Sequence, residues 1–424
     1  MATNAAAQRL PNRWIIVVAA VVMQLSLGSV YAWSVFVTPL INAHKSQHWS
    51  NTEVTLTFTI AIAVLGIGAA IGGFWMDRVG PRFVATVAGV CYGIGVLLAG
   101  FSGDSLPILY ATYGVLGGLG MGLGYIVPVA TLVKWFPDKR GVVTGLAVMG
   151  FGGGAVITSP VATALIGSVG VSQTFITLGI VYLILVVIAA QFYANPPVGY
   201  TPPGWTASAK VTSQRANKDF TPAEALTRGQ WYVLWAILTL NVTAGIAIIS
   251  QAKPLAQSVG ATAVVATGFV SVVAIFNGLG RFAWASFSDL VGRRQVFITM
   301  FALQVVLFLV LSRLPAFAVF APLAFIVALC YGGGFGTMPA FAADYFGPKR
   351  AGAIYGTMLT AWSAGGVLGP ILIAQVIDRT GGYGPAFTII AVIMLLSIAL
   401  PLFVRPPKVT ADVAPSGQAQ VSPA

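Results

Sequence analysis

The chain has 424 residues, 57% of them hydrophobic and 8% charged, with a mean hydropathy of +0.89. Soluble domains carry about 25% charged residues, so the composition excludes a soluble globular protein and leaves room for about twelve membrane spans of ~20–28 residues. The net charge of +12 reads as membrane orientation, not as affinity for nucleic acid. The two cysteines, Cys91 and Cys330, lie in apolar runs, so neither a disulfide nor a metal site is expected.

Taken in chain order, Arg9 and Arg13 precede an apolar stretch over 14–41. It is far longer than a signal-peptide core of ~7–15 residues and reads as an uncleaved first span. His44 and His48 follow in an outer loop and read as solvated, not as a metal pair. Spans 2 and 3 (51–76 and 82–102) are joined by Gly73-x-x-x-Asp77-Arg78-x-Gly80-Pro81-Arg82. Span 4 (106–133) carries Gly117, Gly118, Gly120, Gly122 and Gly124, a close-packing face and not a dinucleotide loop, because no strand precedes it. Spans 5 and 6 cover 140–167 and 172–194. A hydrophilic linker, 195–230, opens with Pro and Gly, then carries Lys210, Arg215, Lys218, Asp219, Glu224 and Arg228, with a short surface helix expected near 221–228. Spans 7 to 12 cover 231–252, 262–288, 294–312, 315–342, 351–377 and 384–404. The expected units are residues 1–194, the linker 195–230, residues 231–405, and a polar tail over 406–424 that reads as disordered.

The two halves repeat about 210 residues apart. Ala285-x-x-x-Asp289-Leu-x-Gly292-Arg293-Arg294 after span 8 matches the loop after span 2. Asp344-Tyr345-Phe346-x-Pro-Lys349-Arg350 matches Lys134-Trp135-Phe136-Pro-x-Lys139-Arg140, and Pro370 matches Pro160. A same-orientation repeat implies two parallel bundles about an axis normal to the membrane, with a midplane site between them. Most of the 22 Lys and Arg fall on the side of the termini and linker; Lys45, Lys253, Arg313 and Arg379 lie opposite. The positive-inside rule therefore predicts cytoplasmic termini and linker.

Arg281 is the only charge in the span 8 run, and the next, Asp289, is eight residues or ~12 Å further on. Inserting such a charge costs at least ~2.5–3.5 kcal/mol, which marks a functional site. Its fork of donors fits a carboxylate. Asn277, one turn before it, shares its face. Asp77 and Asp289 can cap a neighbouring helix or pair with nearby Arg, so Asp77, Arg78, Arg82, Asp289 and Arg293 read as a cytoplasmic gate.

The duplicated Gly-x-x-x-Asp-Arg-x-Gly-x-Arg loop resembles the signature of the major facilitator superfamily, over essentially the whole chain. Asn12-Arg13-Trp14, Trp135-Phe136-Pro137-Asp138-Lys139-Arg140-Gly141, Asp219-Phe220-Thr221-Pro222 and Trp231-Tyr-Val-Leu-Trp235 resemble the branch of oxalate:formate antiporters and bacterial relatives of monocarboxylate transporters. The resemblance implies an all-α membrane protein of twelve transmembrane helices in two pseudo-symmetric six-helix bundles, a transporter and not an enzyme.

It also implies that Tyr125, Tyr331 and Phe335 wall a cavity beside Arg281. Leu27 and Tyr31 share a face of span 1, with Tyr31 at the outer mouth. Oxalate exchangers pair the span 8 Arg with a span 11 Lys; the matching position here is Trp362. One buried cation neutralises a monoanion and leaves a dianion in excess. Animal monocarboxylate transporters carry an Asp where this chain has Asn277, and a Lys in span 1, which here is uncharged. The expected substrate is a small monocarboxylate, L-lactate or pyruvate, moved with a proton through the inner membrane by alternating access, with carboxylate exchange as the alternative. Asp378, after span 11, is the candidate proton carrier, against an outer-loop pair with Arg379. No cofactor and no nucleic acid are expected, the lipid bilayer is the surrounding partner, and the unit is expected to be a monomer. A channel is disfavoured because no ring of like charges lines several spans.

Overall fold

The computed structural model describes residues 12–44, 47–197, 199–202, 219–313 and 316–407, and the side chains of Asn51, Arg140, Ala263, Ala374 and Asp378 are outside it. Arg9, Lys45, residues 203–218 of the linker and the tail from Lys408 thus lie outside the described residues, as does the Asp378 side chain.

Eleven described helices are long and apolar enough to cross a membrane. One of them, Arg140–Ala190, is two spans: Gly170 sits at φ 83°, ψ 168°. That conformation is essentially confined to glycine. The chain reverses there, because the hydroxyls of Thr158 and Tyr182 lie 3.1 Å apart, whereas 24 residues of straight helix would separate them by ~36 Å. Twelve crossings result, in two six-helix halves.

Local chemistry sets the boundaries. Span 2 (Asn51–Val79) starts at a capping box in which Ser50 Oγ accepts from Glu53 N and Glu53 accepts from Ser50 N. The glycines of the duplicated loop have a backbone reason. Gly80 and Gly292 sit at φ 86° and 105°, each joining two helices through one residue. The short linker helix forms over Pro222–Leu226, also behind a capping box.

Three spans depart from plain helices. Span 1 is α-helical over Arg13–Leu27, tightens to a 3-10 turn over Gly28–Ala32 and resumes over Ser34–Ala43. Span 4 contains a π segment over Tyr110–Gly117. Span 11 breaks at Leu359, between Ala351–Met358 and Thr360–Thr380. His44 corrects the expectation of a solvated loop. It is buried, its ring stacks on Trp49 at 4.0 Å, and Nδ1 bonds the Leu40 carbonyl at 2.8 Å.

Two seams join the halves. Span 5 packs on span 8 (Ala263–Val291) at Gly152 and Gly278, where a Cβ on Gly152 would come within 2.8 Å of the Gly278 Cα. Span 2 packs on span 11, with Ser363 Oγ donating to the Ala63 carbonyl at 2.7 Å.

Candidate functional site: a caged arginine between the halves

Arg281 has no solvent exposure. Its backbone is fixed by span 10 (Phe317–Phe346). Cβ atoms on Gly332 and Gly336 would stand 2.0 Å from the carbonyl oxygens of Asn277 and Arg281, so only glycine allows the two helices this close.

The guanidinium reaches both halves. Nε donates to Asn277 Oδ1 (3.3 Å), Nη1 to Tyr125 Oη (3.5 Å) and the Val148 carbonyl (3.5 Å), and Nη2 to Tyr31 Oη (3.3 Å). Aromatic rings enclose it: Phe335 at 4.7 Å, Phe151 at 5.4 Å and Trp362 at 5.8 Å from Cζ. These four hydrogen bonds are longer than the usual 2.7–3.2 Å, and among the described residues no carboxylate pairs with Arg281. The cation is therefore held by ring quadrupoles and weak neutral acceptors. A carboxylate would be a better partner, through shorter, charge-assisted bonds.

Further donors converge. The hydroxyls of Tyr31 and Tyr331 are 2.9 Å apart, linking span 1 to span 10. The Tyr355 hydroxyl and the Trp362 indole N–H are buried, with the Tyr125 and Tyr331 hydroxyls as their respective polar neighbours. A cavity of about 20 Å³, lined by Tyr31, Asn277 and apolar residues of spans 7 and 8, ends on this cluster. It is the size of one water, not of a substrate, so Arg281 is enclosed with no room for a substrate beside it.

Of the residues the sequence singled out, Arg281, Asn277, Tyr31, Tyr125, Tyr331, Phe335 and Trp362 come together. Tyr31, expected at the outer mouth, bonds the guanidinium itself. Leu27 is buried against Gly124, and no described contact joins it to Arg281. Phe151, the Val148 carbonyl and Tyr355 are additions. Phe151 had a signal, as the lone ring beside the glycine run Gly152-Gly153-Gly154.

On the linker side, Asp289 pairs with Arg293 at 2.5 Å and abuts Gly141 at the start of span 5, across the seam between the halves. Arg293 also reaches Asp344 at 3.2 Å. Asp77 is 4.0 Å from Lys134, with Arg350 of the other half also near. Arg78 and Arg82 are exposed and have no described ion pair.

Comparison with known proteins agrees with this architecture. The family profile of the Major Facilitator Superfamily matches residues 12–268 and 235–424. The chain is 30% identical to the oxalate:formate antiporter of Oxalobacter formigenes, over 94% of this chain and 92% of that protein. It is 26% identical to monocarboxylate transporter 13 of Rattus norvegicus, over 92% and 89% respectively. Among solved structures it superposes on the human organic anion transporter MFSD10 (TETRAN) with a TM-score of 0.72 at 14% identity, covering 92% of this chain and all of that one. A twelve-span fold in two halves, closed around a membrane-buried arginine, together with a profile match along nearly the whole length, makes this chain a member of the Major Facilitator Superfamily, a secondary transporter spanning the membrane many times.

Proposed function

We propose that the protein carries small monocarboxylates, L-lactate and pyruvate, with Arg281 binding the carboxylate. The observation behind this is the single caged guanidinium with no acidic partner among the described residues. One bidentate carboxylate neutralises it. The rings of Phe151, Phe335 and Trp362 suit a short aliphatic body, and the hydroxyl or keto oxygen falls to Asn277 or a tyrosine. A dianion such as oxalate would bring a second negative charge into a low-dielectric site that offers no second cation among the described residues. Trp362 occupies the position where a lysine would supply one.

The proposed cycle is alternating access about Arg281, driven by an inward proton gradient. Asp77, Arg78, Arg82, Asp289 and Arg293 serve as the cytoplasmic gate and Asp378 as the proton carrier. Residues 1–194 and 231–405 are the moving bodies and 195–230 the link between them. Both termini face the cytoplasm of the inner membrane by charge distribution, and the working unit is a monomer. Exchange of one carboxylate for another is the second reading. It is favoured by the 30% identity to a protein named as an antiporter and by the absence of any described carboxylate beside Arg281.

The test is uptake of labelled L-lactate into proteoliposomes under an inward proton gradient, for wild type and Arg281→Ala, with and without internal oxalate or formate. Gradient-driven accumulation that the variant loses supports proton-coupled transport through Arg281. Flux that needs an internal anion and ignores the gradient means exchange. An unimpaired variant sinks the site.

A further inference from the structure

The polar groups behind the span 1 turn play no part in the Arg281 cage. Ser29 and Tyr31 are two residues apart in the Gly28–Ala32 turn, and at ~120° per residue they face different ways. Tyr31 faces Arg281 and Tyr331. Ser29 faces the interior of the N-terminal half, where its hydroxyl lies 2.5 Å from Tyr92 Oη. The Tyr92 ring stacks on Tyr182 at 5.4 Å and 22°, and the Tyr182 hydroxyl shares a 3.1 Å hydrogen bond with Thr158. These four residues come from spans 1, 3, 6 and 5, and all are buried. The cavity among them is about 10 Å³, no larger than one water, so the cluster has no room for a substrate. Buried hydroxyls are costly unless bonded, and here they bond in two pairs, Ser29 with Tyr92 and Thr158 with Tyr182, which the stacked rings join across four helices.

We propose that Ser29, Tyr92, Tyr182 and Thr158 are positioning residues, which pin the 3-10 turn of span 1 and thereby hold the Tyr31 hydroxyl at Arg281. A 3-10 turn has poorer hydrogen-bond geometry than an α-helix and is not self-sustaining over long runs. If the two steps from Ser29 to Tyr31 relaxed to ~100° each, Tyr31 would swing by ~40° relative to Ser29. At the end of a tyrosine side chain that arc is several Å, enough to break the 3.3 Å bond to Arg281. The pinning stands on geometry alone; its effect on substrate binding rests on the transport reading above.

The experiment places 3-fluorotyrosine at position 31 of the full chain in lipid nanodiscs and records its fluorine resonance without added carboxylate. Wild type is expected to give one narrow line. Tyr92→Phe, which keeps the ring, and the near-isosteric Thr158→Val are expected to shift or split it. In proteoliposomes, Tyr92→Phe is expected to raise the KM for L-lactate about five-fold, the loss of one hydrogen bond, with Vmax within about two-fold. In a Tyr31→Phe background the same change should add nothing. An unchanged resonance in both variants overturns the proposal, as does a KM effect that persists without the Tyr31 hydroxyl. If wild type fails to carry L-lactate, the transport reading fails, and the resonance alone decides the pinning.

Discussion

Replacing Arg281 by Met should separate the cost of the cation from its use. The four hydrogen bonds to Arg281 measure 3.3 to 3.5 Å, so each falls short of the ~1.5–3 kcal/mol of a well-formed bond from a charged donor. The three ring contacts at 4.7 to 5.8 Å add ~0.5–2 kcal/mol each. Against them stands a desolvation penalty of several kcal/mol for a fully buried ion. Exchanging even a complete buried ion pair for apolar groups of similar volume is commonly neutral or stabilising by ~1–4 kcal/mol; Arg281 has no described ionic partner to lose, and a thioether packs well against rings. The unliganded Met variant should therefore unfold at or above the wild-type temperature. With substrate the sign reverses. Two charge-assisted bonds at ~1.5–3 kcal/mol each amount to a loss of about 10²- to 10⁴-fold in affinity. The assay is thermal unfolding of purified protein with and without L-lactate, paired with proteoliposome uptake. A Met variant that melts well below wild type without carboxylate would show that the cation is structural, and one that still transports would refute the carboxylate assignment.

Four further outcomes are expected. Trp362→Lys places a second cation beside Arg281 and should turn preference from L-lactate toward oxalate, measured by competition in uptake. Gly152→Ala puts a methyl 2.8 Å from the Gly278 Cα and 3.0 Å from Arg281 Nε. It should cut uptake at least about ten-fold by holding the span 5–span 8 seam apart, while circular dichroism shows an intact fold. Arg13→Ala removes a bidentate pair with Asp138 at 2.9 and 3.2 Å and a ring contact with Phe136 at 4.3 Å. It should lower stability by ~1–3 kcal/mol, whereas Asp104→Asn, at an exposed carboxylate 3.8 Å from His44, should change it by less than ~0.5 kcal/mol.

The twelve spans were legible because hydropathy and the repeat each constrain them, and Asn277 with Arg281 stood out as polar residues one turn apart in an apolar run. Tyr125, Tyr331, Phe335 and Trp362 entered through family resemblance; composition alone does not separate a cage ring from a lipid-facing one. The 3-10 turn at Gly28–Ala32 was not legible, since an α-helix would serve the same residues equally well in isolation. What selects it is tertiary: a Cβ on Gly28 would lie 2.0 Å from the Phe151 carbonyl, so the two backbones touch at that point. His44 was misread for a related reason. Its burial comes from stacking on Trp49 within the same loop, a pairing that helix or strand periodicity does not mark.

The glycine contacts that seat span 10 on the carbonyls of Asn277 and Arg281 divide the cage mechanically. Arg281, Asn277, Tyr331 and Phe335 ride on one jaw, locked backbone to backbone. Tyr31, Tyr125, Phe151 and the Val148 carbonyl belong to the other. Parting the jaws strips the guanidinium of three of its four acceptors and leaves Asn277 alone. On the proposed function, an unladen jaw would meet an electrostatic brake that a bound carboxylate would release. Charge held on one side only gives the carrier a reason to move loaded.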